Sequence, residues 1–228
     1  TNAKLKAAMA DSLDEILVTA SAEITDEQLS SFKLMDVEAN EEVETEVSRV
    51  NENSVMLKLK KKFFRMVASE LDATKLYEVS SNDFAAVEVT MRKILNDEKY
   101  YYDGNDLGLT YGKNKSSFKV WAPTAKDVSL MLYDDAGKYD SDGYVNNNTK
   151  GNEVAMERND NGVWNVEISE DLNGKYYLYK VSFANGDVNY AVDPYAKAVA
   201  ANGQRTAIIN LDSTDPEGWE KTAKPAFM

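Results

Sequence analysis

The sequence predicts an all-β protein built from two antiparallel β-sandwiches in tandem. Apolar and polar residues alternate in many short segments, as they do in strands that are buried on one face. All 11 glycines and all 4 prolines lie at or after Gly104, so the turn chemistry changes abruptly near residue 102. We therefore expect two domains, residues 1–100 and residues 101–228.

The first domain is expected to be an immunoglobulin-like sandwich of about seven strands. The opening segment, NAKLKAAMADSL, fits either a short helix or a strand. Thr25 is a candidate helix N-cap with Gln28 three residues later, which predicts a single helical turn. The residues expected to face inward from the strands include Ile16, Val18, Ala20, Phe32, Leu34, Val37, Val55, Leu57 and Leu59.

The second domain is also predicted to be a sandwich, because strand-like segments follow one another without a long helix. Two short segments that contain Asn-Gly, NDNG (159–162) and ANGD (184–187), predict tight hairpin turns, since Asn and Gly tolerate a positive φ. The predicted strands are SFKVWA, DVSLMLYD, EVAMERN, GVWNVEIS, KYYLYKVSF and RTAIINL.

The composition excludes several classes of function. The chain carries 39 acidic and 26 basic residues, and its net charge of −13 argues against a nucleic-acid partner. A neutral polysaccharide would not be repelled. The chain has no cysteine and no histidine, which removes thiol chemistry and the commonest general base. No apolar run approaches the ~18 residues that a membrane span needs, so no membrane span is expected.

The acidic residues do not single out a metal site or a catalytic pair. The turn YDSDG (139–143) resembles part of a calcium loop, but that template requires acidic residues where Lys138 and Thr149 stand. No two carboxylates are marked by the sequence as a glycoside-hydrolysing pair. We therefore predict no catalytic residue, no metal ligand and no cofactor in this chain.

The aromatic residues are the remaining candidates for function. In KYYLYKVSF, alternation places Tyr177 and Tyr179 on one face of a strand and Tyr176 and Lys180 on the other, and one of these faces must be core. Trp164 is expected in the core.

Trp121 lies on the strand face opposite Phe118 and Val120, just before Pro123, which ends the strand without losing a ladder hydrogen bond. An outward indole suggests either a domain-interface anchor or a platform for a sugar ring. We favour Trp121 as an interface residue, with packing inside the module or against the first domain as the alternative.

Several motifs in order carry a family resemblance. The segment DGNDLGLTYGKNKSSFKVWAPTAKDVSLMLYD, then GVWNVEI, GKYYLYKV and AVDPYAKAVAANGQRTAIINL, resembles the carbohydrate-binding module family 48 domain of type I pullulanases, in glycoside hydrolase family 13. The first hundred residues resemble, more weakly, the accessory domain that precedes this module in some pullulanases. The resemblance implies a parent enzyme that hydrolyses α-1,6 linkages, with its catalytic (β/α)₈ barrel missing from this chain.

The resemblance also implies binding residues and partners. Starch-binding relatives have an aromatic residue three positions before an Asp-Pro pair, which corresponds here to Tyr190 before Asp193 and Pro194. A lysine on the preceding strand corresponds to Lys180. The implied partners are α-glucans (pullulan, amylopectin and maltooligosaccharides) and the catalytic domain, and the alternative role is a scaffold without glycan binding. We expect an extracellular or cell-envelope location in a bacterium, with the cytoplasm left open.

Overall fold

A computed structural model describes residues 3–60, 70–139, 145–146, 150–200, 204–214 and residue 218. Within these ranges the only α-helix, α1, is one turn long, and strands make up most of the regular structure. The predicted all-β sandwich class is confirmed. No helix in the described ranges is long and apolar enough to cross a lipid bilayer. The residues 140–143 of the rejected calcium turn lie outside the described part.

Eight strands form a continuous path of paired neighbours in the first part of the chain. The opening segment, which the sequence left open between helix and strand, forms the first of them. The strands are β1 (Leu5–Ala10), β2 (Glu15–Ala20), β3 (Lys33–Asp36), β4 (Glu41–Val43), β5 (Thr45–Asn51), β6 (Ser54–Leu59), β7 (Tyr77–Ser81) and β8 (Phe84–Met91). Their order is β4-β3-β7-β8-β1-β2-β6-β5.

Strand β8 connects two groups of strands in this path. Val87 and Glu88 pair with β7 in antiparallel fashion, whereas Val89 and Thr90 pair with β1 in parallel. A strand that changes partners along its length is how sandwiches pass the chain from one sheet to the other. The other strand pairs in the described part of the chain are antiparallel.

The core of this first part follows the predicted alternation. Ile16, Leu34 and Leu57 are fully buried. The expectation for Val37 was wrong, because its side chain is 38% exposed. Strand β3 ends at Asp36, whose Oδ1 accepts the backbone N–H of Ala39 at 3.0 Å, so the chain turns away from the core before Val37 can be buried.

Helix α1 (Asp26–Leu29) begins at the predicted N-cap. The Gln28 backbone N–H donates to Thr25 Oγ1 at 3.4 Å, and Gln28 Oε1 accepts from the Thr25 backbone N–H at 2.9 Å. These reciprocal bonds form a capping box, which satisfies two backbone donors that the helix itself leaves open.

The second part of the chain forms two main sheets. Its strands are β9 (Gly108–Thr110), β10 (Ser116–Trp121), β11 (Asp127–Tyr133), β12 (Lys138–Tyr139), β13 (Val145–Asn146), β14 (Asn152–Ala155), β15 (Glu157–Arg158), β16 (Val163–Ile168), β17 (Tyr176–Ser182), β18 (Val188–Ala191) and β19 (Thr206–Ala207). The four-stranded sheet has the order β15-β16-β10-β9, and the five-stranded sheet has the order β14-β11-β17-β18 with β19 beside β17. Strands β12 and β13 pair separately.

Aromatic side chains from both sheets meet in the core between them. Phe118 of the four-stranded sheet meets Tyr177 of the five-stranded sheet edge to face, with ring centroids 5.0 Å apart. Tyr179 packs against Tyr177 at 5.6 Å, and Trp164 is buried in the same cluster, as predicted. The Tyr177 and Tyr179 face of β17 is therefore the core face, and the Lys180 face points away from this core.

Both predicted hairpin turns are present. Asn161 and Gly162 have φ values of 61° and 75° between β15 and β16, and Gly186 has a φ of 90° between β17 and β18. The two larger clusters of buried residues run from Leu5 to Tyr100 and from Phe118 to Ile208. The domain boundary between residues 100 and 101 stays a prediction.

Candidate functional site

The two residues implicated in sugar binding lie side by side on one surface. Lys180 of β17 and Tyr190 of β18 are direct partners in the antiparallel register, so their side chains share a face of the sheet. We call this surface, which carries Ser129, Leu178, Lys180 and Tyr190, the outer face. The Tyr190 side chain is 48% exposed on it. Val188 of the same edge strand and Val192, just after its end, are also exposed and flank Tyr190.

Lys180 is fixed by an ion pair that sequence reasoning missed. Its Nζ lies 2.9 Å from Glu153 Oε1 and 3.1 Å from Oε2. The hydrogen bond to Glu153 raises the pKa of Lys180, and the hydrogen bond from Lys180 lowers the pKa of Glu153, with Ser129 adding to the second effect. The pair cancels its own charge. The sequence offers no local signal for it, because Glu153 comes from β14, two strands away.

The floor of the outer face is apolar and well packed. Met131, Tyr133 and Leu178 form a small buried cluster, which the half-buried Tyr176 joins. The guanidinium carbon of Arg205 lies 3.6 Å from the centroid of the Tyr133 ring. This face of the sheet is thus partly buried, although the sequence did not predict what would cover it. Burial also raises the pKa of the Tyr133 hydroxyl.

Below the sheet, a buried carboxylate holds β17 and the Asp-Pro segment together. Asp193 Oδ2 accepts hydrogen bonds from Tyr177 Oη at 2.5 Å and Tyr179 Oη at 3.3 Å. Its Oδ1 accepts the backbone N–H of Tyr195 at 2.8 Å, and its own N–H donates to Thr206 Oγ1 at 3.0 Å. These bonds fix the segment after Tyr190. Burial is the main cause that raises the pKa of both tyrosines, with Asp193 adding to it.

Trp121 does not lie on the outer face. Its indole Nε1–H is 3.0 Å from the carbonyl oxygen of Tyr100 and 3.0 Å from that of Asn161. The indole therefore bridges the end of the first core cluster and the hairpin turn of the second part. Its assignment as a domain-interface residue stays a prediction.

The outer face offers the chemistry of binding rather than of bond cleavage. Tyr190 supplies a flat exposed ring, and Lys180 and Glu153 supply donors and acceptors beside it. A sugar ring has one apolar C–H face and an edge of hydroxyl groups, and it matches such a surface. Glu153 is already tied to Lys180, so it is poorly placed to act as a free general acid or nucleophile.

Comparisons with known proteins agree with the resemblance seen in the sequence. Residues 106–196 match the family model of carbohydrate-binding module 48 (isoamylase N-terminal domain). The chain is 37% identical over 134 residues to Pullulanase 1, chloroplastic, from Arabidopsis thaliana, an alignment that covers 56% of the chain and 13% of that protein. The resemblance to the N-terminal region of pullulanases is thus confirmed. The chain spans only a small part of the length of the relatives it matches.

Solved structures show the same fold over nearly the whole chain. The pullulanase from Bacillus acidopullulyticus has a TM-score of 0.76 at 23% identity, over 96% of this chain and 38% of that one. The pullulanase from Anoxybacillus sp. LM18-11, complexed with maltotetraose, has a TM-score of 0.65 at 26% identity, over 97% of this chain and 28% of that one.

Proposed function

We propose that this chain, whose residues 106–196 form a carbohydrate-binding module 48 domain, is a non-catalytic region of a pullulanase-type enzyme that hydrolyses α-1,6 linkages in α-glucans. In this proposal the outer face binds the glucan. The observation that carries it is the register that sets Tyr190 directly opposite Lys180 on an exposed sheet face. Tyr190 would stack on a glucose ring, and Lys180 would donate to its hydroxyl groups.

Two further observations support a neutral polymer as the ligand. The net charge of −13 repels anionic polymers but does not repel a neutral α-glucan. The ion pair with Glu153 also neutralises the charge of Lys180. A related pullulanase has been solved with maltotetraose. The extracellular or cell-envelope location, and pullulan or amylopectin as the polymer, stay predictions.

The second candidate function is a scaffold that positions the catalytic domain and binds no glucan unaided. The ion pair favours this alternative in one respect, because a sugar hydroxyl must compete with Glu153 for the Lys180 ammonium. The two functions differ in whether the isolated chain binds maltooligosaccharides.

Replacing Tyr190 by alanine is expected to weaken binding of maltoheptaose about two- to thirteenfold, because one stacked aromatic contact contributes about 0.5–1.5 kcal/mol. Isothermal titration calorimetry of the chain and the variant measures the change. The side chain is half exposed, so the substitution leaves the core intact.

Tyr190→Phe is the matched control, since it keeps the ring and removes only the hydroxyl, and it should bind almost as the original chain does. Equal affinity of Tyr190→Ala and the original chain would remove Tyr190 from the site. Absence of binding by the original chain at millimolar sugar would favour the scaffold function instead.

A further inference from the structure

Exposed aromatic side chains gather in a second place, away from the outer face. Four aromatic residues in the described part of the chain are exposed: Tyr101, Trp121, Tyr190 and Tyr195. All except Tyr190 line one groove of about 390 Å³. We call it the junction groove, because its walls come from residues 95–97 and 100–102, at and just after the end of the first core cluster, and from Leu107, Trp121 and Tyr195 of the second part. None of the residues that define the outer face lines it.

A concave cluster of exposed aromatic rings indicates a binding surface, because each ring buries a large apolar area when a ligand or partner covers it. Tyr101 is 68% exposed and Tyr195 is 51% exposed. The size of the groove falls within the ~300–1,000 Å³ that is usual for small-molecule sites. The rings thus form a surface that is shaped for a ligand.

Two of the aromatic side chains that line the groove, Trp121 and Tyr102, are held in place by hydrogen bonds. The Trp121 indole N–H is engaged by the carbonyl oxygens of Tyr100 and Asn161, both at 3.0 Å. Tyr102, which also lines the groove, donates its hydroxyl proton to Asp106. Side chains fixed in advance lose little conformational entropy when a ligand binds, so more of the stacking energy appears as affinity.

Polar groups complete the wall beside the rings. Asn96 and Asp97 line the same groove, and the Oδ1 atom of Asp97 accepts the backbone N–H of Lys99 at 3.0 Å. An amide and a carboxylate beside flat rings suit a ligand with hydroxyl groups on its edge and C–H groups on its face. The nearby negative charge and the net charge of −13 disfavour an anionic ligand.

We propose that the junction groove is a second glucan-binding site, in which a short stretch of neutral α-glucan stacks on Tyr101, Trp121 and Tyr195 with Asn96 and Asp97 bonding to its hydroxyl groups. The choice of α-glucan as the ligand class rests on the proposed function, whereas the site itself rests on the groove. A glucan bound here touches both parts of the chain, so it also holds them together.

The test is a titration of the ¹⁵N-labelled chain with maltotetraose, followed by the indole N–H resonances. The Trp121 resonance, assigned by its loss in Trp121→Phe, is expected to shift with a saturable dependence on sugar. Trp164 is the internal control: its indole N–H donates to Ala122 O at 3.0 Å inside the core, and its resonance should stay in place.

Three variants separate the two sites. In Tyr190→Ala the shift of the Trp121 resonance should persist, and the midpoint of the titration (the sugar concentration that gives half of the maximal shift) should change less than twofold. Adding Tyr101→Ala to that background should raise the midpoint about tenfold, whereas Tyr101→Phe should leave it near its original value. Tyr101 is exposed, so neither substitution disturbs the core.

The outcomes distinguish failure of this proposal from failure of the proposed function. If amide resonances at the outer face shift and the Trp121 indole resonance does not, the proposal for the junction groove is wrong and the outer-face site remains supported. A Trp121 shift that Tyr101→Ala does not weaken would also overturn the groove proposal. A Trp121 shift without any change at the outer face would support the groove and count against Tyr190.

Discussion

Replacing Asp193 by alanine is expected to lower the free energy of unfolding by about 3 kcal/mol, because it leaves buried donors without an acceptor. The hydroxyls of Tyr177 and Tyr179 both donate to this carboxylate, and both residues are at most 1% exposed. Water cannot reach them to replace the lost bonds. Chemical denaturation of the chain and the variant measures the loss.

Asp193→Asn is the matched control for this experiment. The amide keeps the volume and one acceptor oxygen, which can still take the Tyr195 backbone N–H that Oδ1 accepts at 2.8 Å. The tyrosine hydroxyls can rotate to donate elsewhere or accept from the amide. The loss of stability should therefore be less than half that of Asp193→Ala. Equal losses for the two variants would mean that the charge, rather than the acceptor network, stabilises the segment.

Replacing Gly162 by alanine is expected to cost a similar amount, about 3 kcal/mol, from two sources. Its φ of +75° is strained for any residue with a side chain, at about 1–3 kcal/mol. A Cβ at this position would also lie 2.6 Å from the Cα of Pro123, so the backbone that follows Trp121 has to move. Thermal or chemical unfolding gives the size of the effect.

Gly186→Ala separates these two sources. Gly186 has a φ of +90° in the β17–β18 hairpin, but no atom lies within 4 Å of the position its Cβ would take. This variant should lose only the strain energy, about 1 kcal/mol. If Gly162→Ala proves no worse than Gly186→Ala, the close approach of Pro123 to the hairpin turn is not a real constraint.

The local features of the fold could be predicted from the sequence. The capping box of Thr25 and Gln28 depends on residues three positions apart, and the Asn-Gly turns depend on backbone preferences of two residues. The burial of Ile16 and Leu57 follows from alternation within a single strand. Each of these needs no knowledge of what lies elsewhere in the chain.

Features set by distant strands could not be predicted. The opening segment forms a strand that pairs with the neighbouring β2 and, in parallel, with β8 about eighty residues later, and this second pairing leaves no local signal. The partner of Lys180 was missed because Glu153 lies on another strand and reaches it across β11. Val37 is a different case: it is exposed because the chain turns after Asp36, and alternation alone does not reveal a turn.

We propose that α-glucan binds at the outer face. The most direct test is the map of backbone amide shifts when the ¹⁵N-labelled chain is titrated with maltoheptaose. We expect saturable shifts at Lys180, Tyr190 and their neighbours in β17 and β18. Unshifted amides in these two strands at millimolar sugar would contradict the claim.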